Sequence, residues 1–169
     1  GYKKVGFKEF SDVYVINTCS VTENANKETR KLIRSTKRIN SNAIIAVTGC
    51  YAQLKPEELI SIDGVSMVVG AEEKFNLLEH LDKLVAYNDK KLMFNSEISR
   101  VTKFEPSFSL NDRTRSFLKV QDGCDYNCTF CTIPKARGPS RNLTIQQTMK
   151  VAEQLAETSA KEVVLTGVN

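Results

Sequence analysis

The sequence predicts an α/β protein: a three-layer α/β domain built on a parallel sheet, followed by the first β/α units of a TIM-like barrel. Two observations predict the first domain. Short apolar runs alternate with helix-like stretches over residues 1–86, an order typical of parallel sheets. The run 43–48 is apolar without alternation, as in strands buried on both faces. The third observation is the order strand, loop, helix, strand after residue 113, which is the repeating unit of a β/α barrel.

The elements of the first domain, expected over residues 1–86, follow from periodicity and from helix boundary residues. Strands are predicted at 13–17, 43–48 and 66–69. Helices are predicted at about 24–39, with Thr22 as N-cap, and at 57–62 after Pro56. The stretch 74–86 predicts an amphipathic helix, because its apolar residues have helical spacing. Its predicted apolar face carries Phe75, Leu78, Leu81 and Val85.

A polar stretch with little periodicity, 87–112, is expected to link the two domains, with short strands near 91–94 and 99–104. The second domain is expected over 113–169. Its predicted elements are a strand at 116–120, a cysteine loop, a basic turn-rich segment at 134–141, a helix at about 144–159 and a strand at 162–166. A loop that leaves the first strand lies on the face where β/α barrels build their active sites.

Composition places the chain among ordinary globular proteins. Of its 169 residues, 41% are hydrophobic and 26% are charged, and the net charge of +4 permits a nucleic-acid partner without requiring one. No apolar run is long enough to span a bilayer, and no secretory signal is visible. We therefore expect no membrane partner and a reducing, cytoplasmic location. The start at Gly1 and the end just after a strand lead us to expect a segment of a longer protein.

The cysteine loop is the strongest functional signal. Cys124, Cys128 and Cys131 have the spacing Cys-x3-Cys-x2-Cys. Iron–sulfur clusters are held by cysteine thiolates, and three ligands leave one iron of a four-iron cluster open. An open iron can bind an exchangeable small molecule, which indicates a catalyst.

Other interpretations of the loop are less consistent with the sequence. Structural zinc prefers four ligands, and because His80 is the only histidine, zinc would have to borrow Cys19, Cys50 or a carboxylate. An electron carrier would normally show a fourth cysteine nearby. An odd number of cysteines, five, without a secretory signal argues against disulfides.

Two further cysteines, Cys19 and Cys50, each follow the end of a predicted strand. The carboxyl ends of parallel strands meet at one edge of the sheet, where ligands bind. The two thiols can therefore face one another at this edge. The alternative is that each is a small buried hydrophobic residue, a common fate of free cysteine. The sequence leaves both open.

The first predicted helix carries a basic face. Six residues share it at helical spacing: Lys27, Arg30, Lys31, Arg34, Lys37 and Arg38. The face is either a solvated helix surface or a phosphate-tracking surface for nucleic acid. A second basic group, Lys135, Arg137 and Arg141, follows the cysteine loop.

Several motifs together resemble the radical S-adenosylmethionine methylthiotransferases. The motifs of the N-terminal domain are Asn17-Thr18-Cys19-Ser20-Val21-Thr22, Thr48-Gly49-Cys50-Tyr51-Ala52-Gln53 and Val69-Gly70. Those of the radical domain are Asp122-Gly123-Cys124 through Cys131, Ile133-Pro134, Ala136-Arg137-Gly138 and Leu165-Thr166-Gly167-Val168-Asn169. The resemblance covers nearly the whole chain and implies a partial TIM-like radical barrel for its second part.

The resemblance implies two four-iron clusters and S-adenosylmethionine. One cluster is implied at Cys124, Cys128 and Cys131, with S-adenosylmethionine chelated by the open iron. The other is implied at three N-terminal cysteines, of which two match Cys19 and Cys50. The third matches a point before Gly1, so we expect this segment alone to be inactive. Two cofactor contacts are also implied: Phe130 near the adenine and Gly167 near the methionine part.

The implied reaction is insertion of a methylthio group at an unactivated carbon, driven by a radical derived from S-adenosylmethionine. The motif details resemble most the branch that modifies threonylcarbamoyladenosine in the tRNA anticodon stem-loop. Isopentenyladenosine in tRNA and an aspartate of a ribosomal protein are the alternative substrates, and an electron donor of the flavodoxin or ferredoxin type is implied. The alternative of another class is a non-catalytic iron–sulfur or zinc module that binds RNA.

Overall fold

The computed structural model describes residues 1–19, 22–87, 91–109 and 114–168. It divides into two units, Gly1–Ile98 and Ser99–Asn169. Several residues used above lie outside the described residues: Ser20, Val21, Asn169, and 88–90 and 110–113 of the predicted linker and domain start. The domain bounds inferred from the sequence, 1–86 and 113–169, stay a prediction.

The first unit is built on a four-stranded parallel sheet. Its strands are β1 (Val13–Thr18), β2 (Ile44–Gly49), β3 (Met67–Val69) and β4 (Leu92–Phe94), and they lie in sequence order. All three pairings are parallel. The strand predicted near 91–94 is thus confirmed as the sheet edge. The strand predicted near 99–104 is wrong, because Ile98–Arg100 forms a 3₁₀ turn and the next strand begins only at Ser107.

Helices cover both faces of this sheet. The helices of the first unit are α1 (Glu23–Ile39), α2 (Cys50–Leu54), α3 (Pro56–Ser61) and α4 (Leu77–Tyr87). Side chains alternate between the faces of a strand, so β2 packs Ile45 and Val47 with α1, α2 and α3, while its Ala46 packs with Leu81 of α4. The three-layer α/β architecture predicted from the sequence is confirmed.

The local signals at the start of α1 are also confirmed. The Thr22 hydroxyl accepts a hydrogen bond from the Ala25 amide, as the N-cap of a helix does. Ile33 and Thr36 are fully buried on the inner face of α1, against the sheet.

The predicted apolar face of the last helix of this unit is wrong. Phe75, Leu78 and Val85 are exposed, whereas Leu81 and Leu84 are buried. Only Leu81 of the predicted face is therefore correct, and the buried face of α4 is completed by His80 and Leu84. At about 100° per residue, the buried face is rotated by roughly 80° from the predicted one. The prediction counted only apolar residues, whereas the buried His80 stacks on Phe94 of the sheet.

The second unit contains a β-α-β element. Its strands and helices are β5 (Ser107–Phe108), β6 (Arg115–Lys119), β7 (Gln121–Asp122), α5 (Ile133–Arg137), β8 (Arg141–Asn142), α6 (Ile145–Ala156) and β9 (Glu162–Thr166). Strands β6 and β9 pair in parallel, β5 adds to β6 antiparallel, and β7 pairs with β8. The start of a radical barrel is thus present. The segment predicted as turns, 134–141, contains the short helix α5.

Helix α6 is held at its start by a capping box. The Thr144 hydroxyl accepts from the Gln147 amide, and the Gln147 side chain accepts from the Thr144 amide. Leu155 of α6 and Leu118 of β6 are almost fully buried. None of the helices in the described ranges is long and apolar enough to cross a membrane.

Candidate metal centre and cofactor site

The three-cysteine loop leaves the end of β7. Cys124 is buried, and its amide donates to the Gly138 carbonyl at 3.0 Å. Cys128 is exposed and Cys131 is half-buried, and the Cys131 amide donates to the Cys128 carbonyl at 3.1 Å. One thiol is therefore anchored against the unit, while the other two lie on a turn at its surface.

These thiols fit an iron–sulfur cluster by their chemistry and their common loop. Within the described residues, which include all five cysteines, no three Cys, His, Asp or Glu side chains are gathered as they would be around a metal ion. The structure also shows what His80, the histidine considered for zinc, does: its ring stacks on Phe94 and its Nε2 lies 2.9 Å from a Glu73 carboxylate oxygen. His80 thus has a structural role in the first unit, where it contacts Phe94 and Glu73.

Two glycines with positive φ bring the loop back against its own base. Gly123 has φ of +77° and Gly138 has φ of +78°, a region that favours glycine. A Cβ on Gly123 would overlap the carbonyl oxygens of Gly138 and Pro139. The backbone before Cys124 therefore approaches the turn after α5 as closely as a glycine permits.

We expect Gly123→Ala to impair this loop. The side chain both disfavours the φ angle and overlaps backbone atoms that have no freedom to rotate away, so the expected cost is about 2 kcal/mol or more in the stability of the second unit. Iron bound after reconstitution should fall with it. Gly6→Ala is the control, because a Cβ there meets only the flexible side chain of Glu9. Unchanged iron content and unfolding of Gly123→Ala would contradict the expectation.

A buried carboxylate with three cations precedes the loop. Asp122 is 4% exposed. Its carboxylate accepts from Arg137 Nη1 at 3.1 Å and lies 3.5 Å from Lys119 Nζ and 3.7 Å from Arg141 Nη2. It also accepts from the Gly123 amide at 3.0 Å. We call Asp122 and these three basic residues the Asp122 clamp; it joins β6, β7, α5 and β8, and Asp122 itself lies two residues before Cys124.

The charge balance of the clamp keeps Asp122 ionised. Burial alone would raise the pKa of Asp122, but the hydrogen bond from Arg137 and the charges of Arg137, Lys119 and Arg141 outweigh it. The pKa of this carboxyl is therefore held below its ordinary value. An ionised Asp122 can fix the basic residues that follow the loop.

Asp122 appears in a sequence motif above, but the motif predicts no role for it. The sequence does place an acid two residues before the first cysteine and a basic group after the last, a pattern that is consistent with an ion pair. The structure also gives Arg137 a partner within the protein. Arg137, which the sequence shows as part of the second basic group, donates to the carboxylate of Asp122.

Phe130 and Gly167 occupy different environments. Phe130 is 90% exposed, so it does not pack in the core of this unit. Gly167 follows β9, and a Cβ there would lie 2.9 Å from the Gln121 side-chain oxygen. Gln121 accepts from the Val168 amide at 2.6 Å and donates to the Gly123 carbonyl at 2.6 Å. Gln121, which sequence reasoning missed, thus links the end of β9 to the start of the cysteine loop.

Cys19 and Cys50 lie at matched positions on the first unit. Thr18 and Gly49 are the last paired residues of β1 and β2, and each is followed directly by one of the cysteines. Cys19 is exposed and Cys50 is half-buried, so neither is the small buried hydrophobic residue of the alternative interpretation. The sheet register brings both to the same edge, while the thiols of Cys124, Cys128 and Cys131 belong to the other unit.

The residue after Cys50 anchors that edge to the helices. Tyr51 is fully buried, and its hydroxyl donates to Glu58 at 2.6 Å. Arg30 donates to the same hydroxyl at 3.1 Å and pairs with Glu58. The start of α2, and with it Cys50, is therefore tied to α1 and α3.

Family comparisons assign a class to each part of the chain. Residues 118–169 match the radical SAM superfamily, and residues 1–70 match the uncharacterized protein family UPF0004. The three-cysteine loop on a β-α-β element thus belongs to the radical S-adenosylmethionine class, which implies a four-iron cluster and S-adenosylmethionine.

Individual relatives narrow the class. The chain is 42% identical to the threonylcarbamoyladenosine tRNA methylthiotransferase MtaB of Bacillus subtilis, over 100% of the chain and 38% of that protein. It is also 42% identical to MtaB of Aquifex aeolicus, over 99% of the chain and 41% of that protein. Identity to the ribosomal protein uS12 methylthiotransferase RimO of Clostridioides difficile is 34%, over 98% of the chain and 38% of that protein. Along its whole length the chain is therefore similar to radical S-adenosylmethionine methylthiotransferases, and it spans about two fifths of the length of these relatives.

Proposed function

We propose that the protein is a tRNA methylthiotransferase that inserts a methylthio group at carbon 2 of N6-threonylcarbamoyladenosine beside the anticodon. The observation that carries the proposal is the similarity along the whole chain to enzymes named for this substrate, higher than to RimO. The three-cysteine loop supplies the matching chemistry. The anticodon stem-loop of tRNA is the proposed partner.

The residues proposed to hold the main cofactors lie in the second unit. Cys124, Cys128 and Cys131 would ligate a [4Fe-4S] cluster, and Phe130 and Gly167 would contact S-adenosylmethionine. When bound, these groups supply the radical chemistry that removes hydrogen from an unactivated carbon. The exposed ring of Phe130 offers an apolar surface for an adenine, and the absent side chain of Gly167 permits a close approach.

The chain's own groups prepare this site. The Asp122 clamp fixes the base of the cysteine loop, and Gln121 ties the loop to the residues around Gly167. Neither contact needs a cofactor. The Cys131 amide donates to the Cys128 carbonyl, which holds the backbone of these two residues together and leaves both thiols outside that hydrogen bond.

A second [4Fe-4S] cluster is proposed at the edge of the first unit, with Cys19 and Cys50 among its ligands. Their adjacent positions in the sheet register support this proposal. An electron donor of the flavodoxin or ferredoxin type and a cytoplasmic location are proposed as well, because free thiols that bind clusters persist in a reducing compartment.

The test uses the complete gene product, reconstituted without oxygen and incubated with dithionite, S-adenosylmethionine and tRNA from a strain that lacks the modification. We expect the digested tRNA to contain a nucleoside heavier than threonylcarbamoyladenosine by one methylthio group in place of hydrogen. Omission of S-adenosylmethionine is the control and should abolish this product.

Other products would assign other functions. A methylthio group on isopentenyladenosine, or on a ribosomal-protein aspartate when that protein is supplied, would contradict the proposed substrate and keep the chemistry. Zinc in place of iron, without cleavage of S-adenosylmethionine, would contradict the enzyme and favour a binding module.

A further inference from the structure

The basic face of α1 is narrower than the sequence predicted. Arg30 is half-buried and bound to Tyr51 and Glu58. Lys37 is also half-buried, and its Nζ donates to the Ser41 carbonyl at 2.7 Å. Four exposed residues remain, which we call the α1 stripe: Lys27, Lys31, Arg34 and Arg38.

The α1 stripe forms a straight row along the outer side of the helix. At 3.6 residues per turn, its four positions fall within about 60° of one another, on the side opposite the buried Thr29, Ile33 and Thr36. The row is about 16 Å long at a rise of about 1.5 Å per residue. Among the described residues, none of its members forms an ion pair.

The composition of the α1 stripe favours a nucleic-acid backbone over a protein surface. Protein interfaces have aromatic or apolar residues at their centre and are depleted in lysine. The row itself contains only Lys and Arg, and the exposed Leu32 lies about 100° from Lys31, the nearest member of the row. A linear series of unpaired cations matches a polymer with one negative charge per nucleotide.

The fold directs this row toward the candidate cluster edge. Helix α1 begins at Glu23, five residues after β1 ends at Thr18. Its N-terminal end therefore lies on the side of the sheet where Cys19 and Cys50 follow β1 and β2. An RNA strand on the α1 stripe would lead to that edge.

We propose that the α1 stripe binds the phosphate backbone of a folded RNA and guides it to the edge that carries Cys19 and Cys50. The inference rests on the proposed function for the kind of RNA, a tRNA. It adds a binding surface in the first unit that is separate from the nucleoside to be modified. Sequence-independent binding through phosphates is expected, because the row contains no group suited to reading a base.

The test compares two variants of the complete, cluster-loaded gene product that each remove four positive charges. The stripe variant carries Lys27→Gln, Lys31→Gln, Arg34→Gln and Arg38→Gln. The matched control carries Lys3→Gln, Lys4→Gln, Lys8→Gln and Lys83→Gln, all exposed residues of the same unit. The probe is an unmodified tRNA transcript, and its Kd is measured at several salt concentrations.

For the stripe variant, the slope of log Kd against log salt should become less steep by about 3, because each phosphate contact contributes about 0.7 to 0.9. The α1 stripe would then account for an about 100-fold loss of affinity in the parent between about 50 and 200 mM salt. Lys27 and Lys31 should also be protected by tRNA from acetylation, and Lys83 should not.

Three results would overturn the proposal. The stripe variant could keep the salt slope of the parent, or the control variant could lose as much of its salt slope as the stripe variant. Lys27 and Lys31 could also be acetylated equally with and without tRNA. Thermal unfolding checks that both variants fold. The measurement needs no turnover, so it can fail while the methylthio product still forms. Conversely, absence of the methylthio product in the parent contradicts the proposed function without affecting the binding result.

Discussion

Replacing Cys124, Cys128 and Cys131 together by alanine is expected to abolish cleavage of S-adenosylmethionine. They are the three cysteines of residues 99–169, and iron–sulfur clusters are held by cysteine thiolates. The complete gene product should lose about half of its iron if two clusters are present. Formation of 5′-deoxyadenosine under reducing conditions is the measurement, and we expect none.

The matched control for this variant is Cys19→Ala with Cys50→Ala. Because these residues lie at the other candidate centre, the double variant should still cleave S-adenosylmethionine but should form no methylthio nucleoside. Binding of the unmodified tRNA transcript shows that each variant is folded. Deoxyadenosine from the triple variant at the parental rate would disprove the assignment of the cluster to this loop.

Asp122→Asn is expected to destabilise the second unit by about 3 kcal/mol, because it leaves the clamp cations beside a group that no longer carries a charge. The amide has nearly the same size, so the loss reports charge and hydrogen bonding rather than a cavity. Unfolding by urea, with hydrogen exchange of β6 to assign the transition to this unit, is the measurement. Iron retained after reconstitution should fall as well.

The pH dependence gives this prediction a second readout. The pKa of Asp122 is lowered in the folded state, so its stabilising effect is complete above the ordinary value of about 3.9 and is lost as the pH falls through the lowered value. The parent should therefore lose stability in this acid range more steeply than Asp122→Asn. Similar pH profiles for both would contradict the clamp.

A surface ion pair of the same unit provides the control for Asp122→Asn. Arg115 and Glu162 form a pair at 2.9 Å, and their side chains are 55% and 52% exposed. Glu162→Gln should change the unfolding free energy by only about 0.5 kcal/mol, because exposed pairs contribute little. An equal effect of the two substitutions would show that burial of Asp122 is unimportant.

Much of the architecture could be predicted because its signals are local. The strand at 43–48 is apolar along its whole length, Thr22 caps α1 through a residue three positions away, and the cysteine spacing lies within eight residues. Motifs of this kind were sufficient to predict the similarity to radical S-adenosylmethionine methylthiotransferases that the comparisons find.

Errors arose where burial or pairing depends on residues distant in the sequence. The apolar face assigned to 74–86 included Leu78 and Val85 but not His80, which the fold buries against Phe94, and the strand near 99–104 lacks a neighbour to pair with among the described residues. Neither feature is visible in residue types, since both depend on the path of the backbone.

By itself, the sequence determined the class of fold and the similarity to the methylthiotransferases, and it predicted the ligand chemistry of the cysteine loop. Only the tertiary structure decided which charges are available. It engages Arg30 and Lys37 with other groups, whereas the α1 stripe has no ion pair among the described residues, and it surrounds Asp122 with cations from three separate elements. The physical reason is that capping, periodicity and ligand spacing act over a few residues, whereas burial and ion pairing depend on residues that only folding brings together.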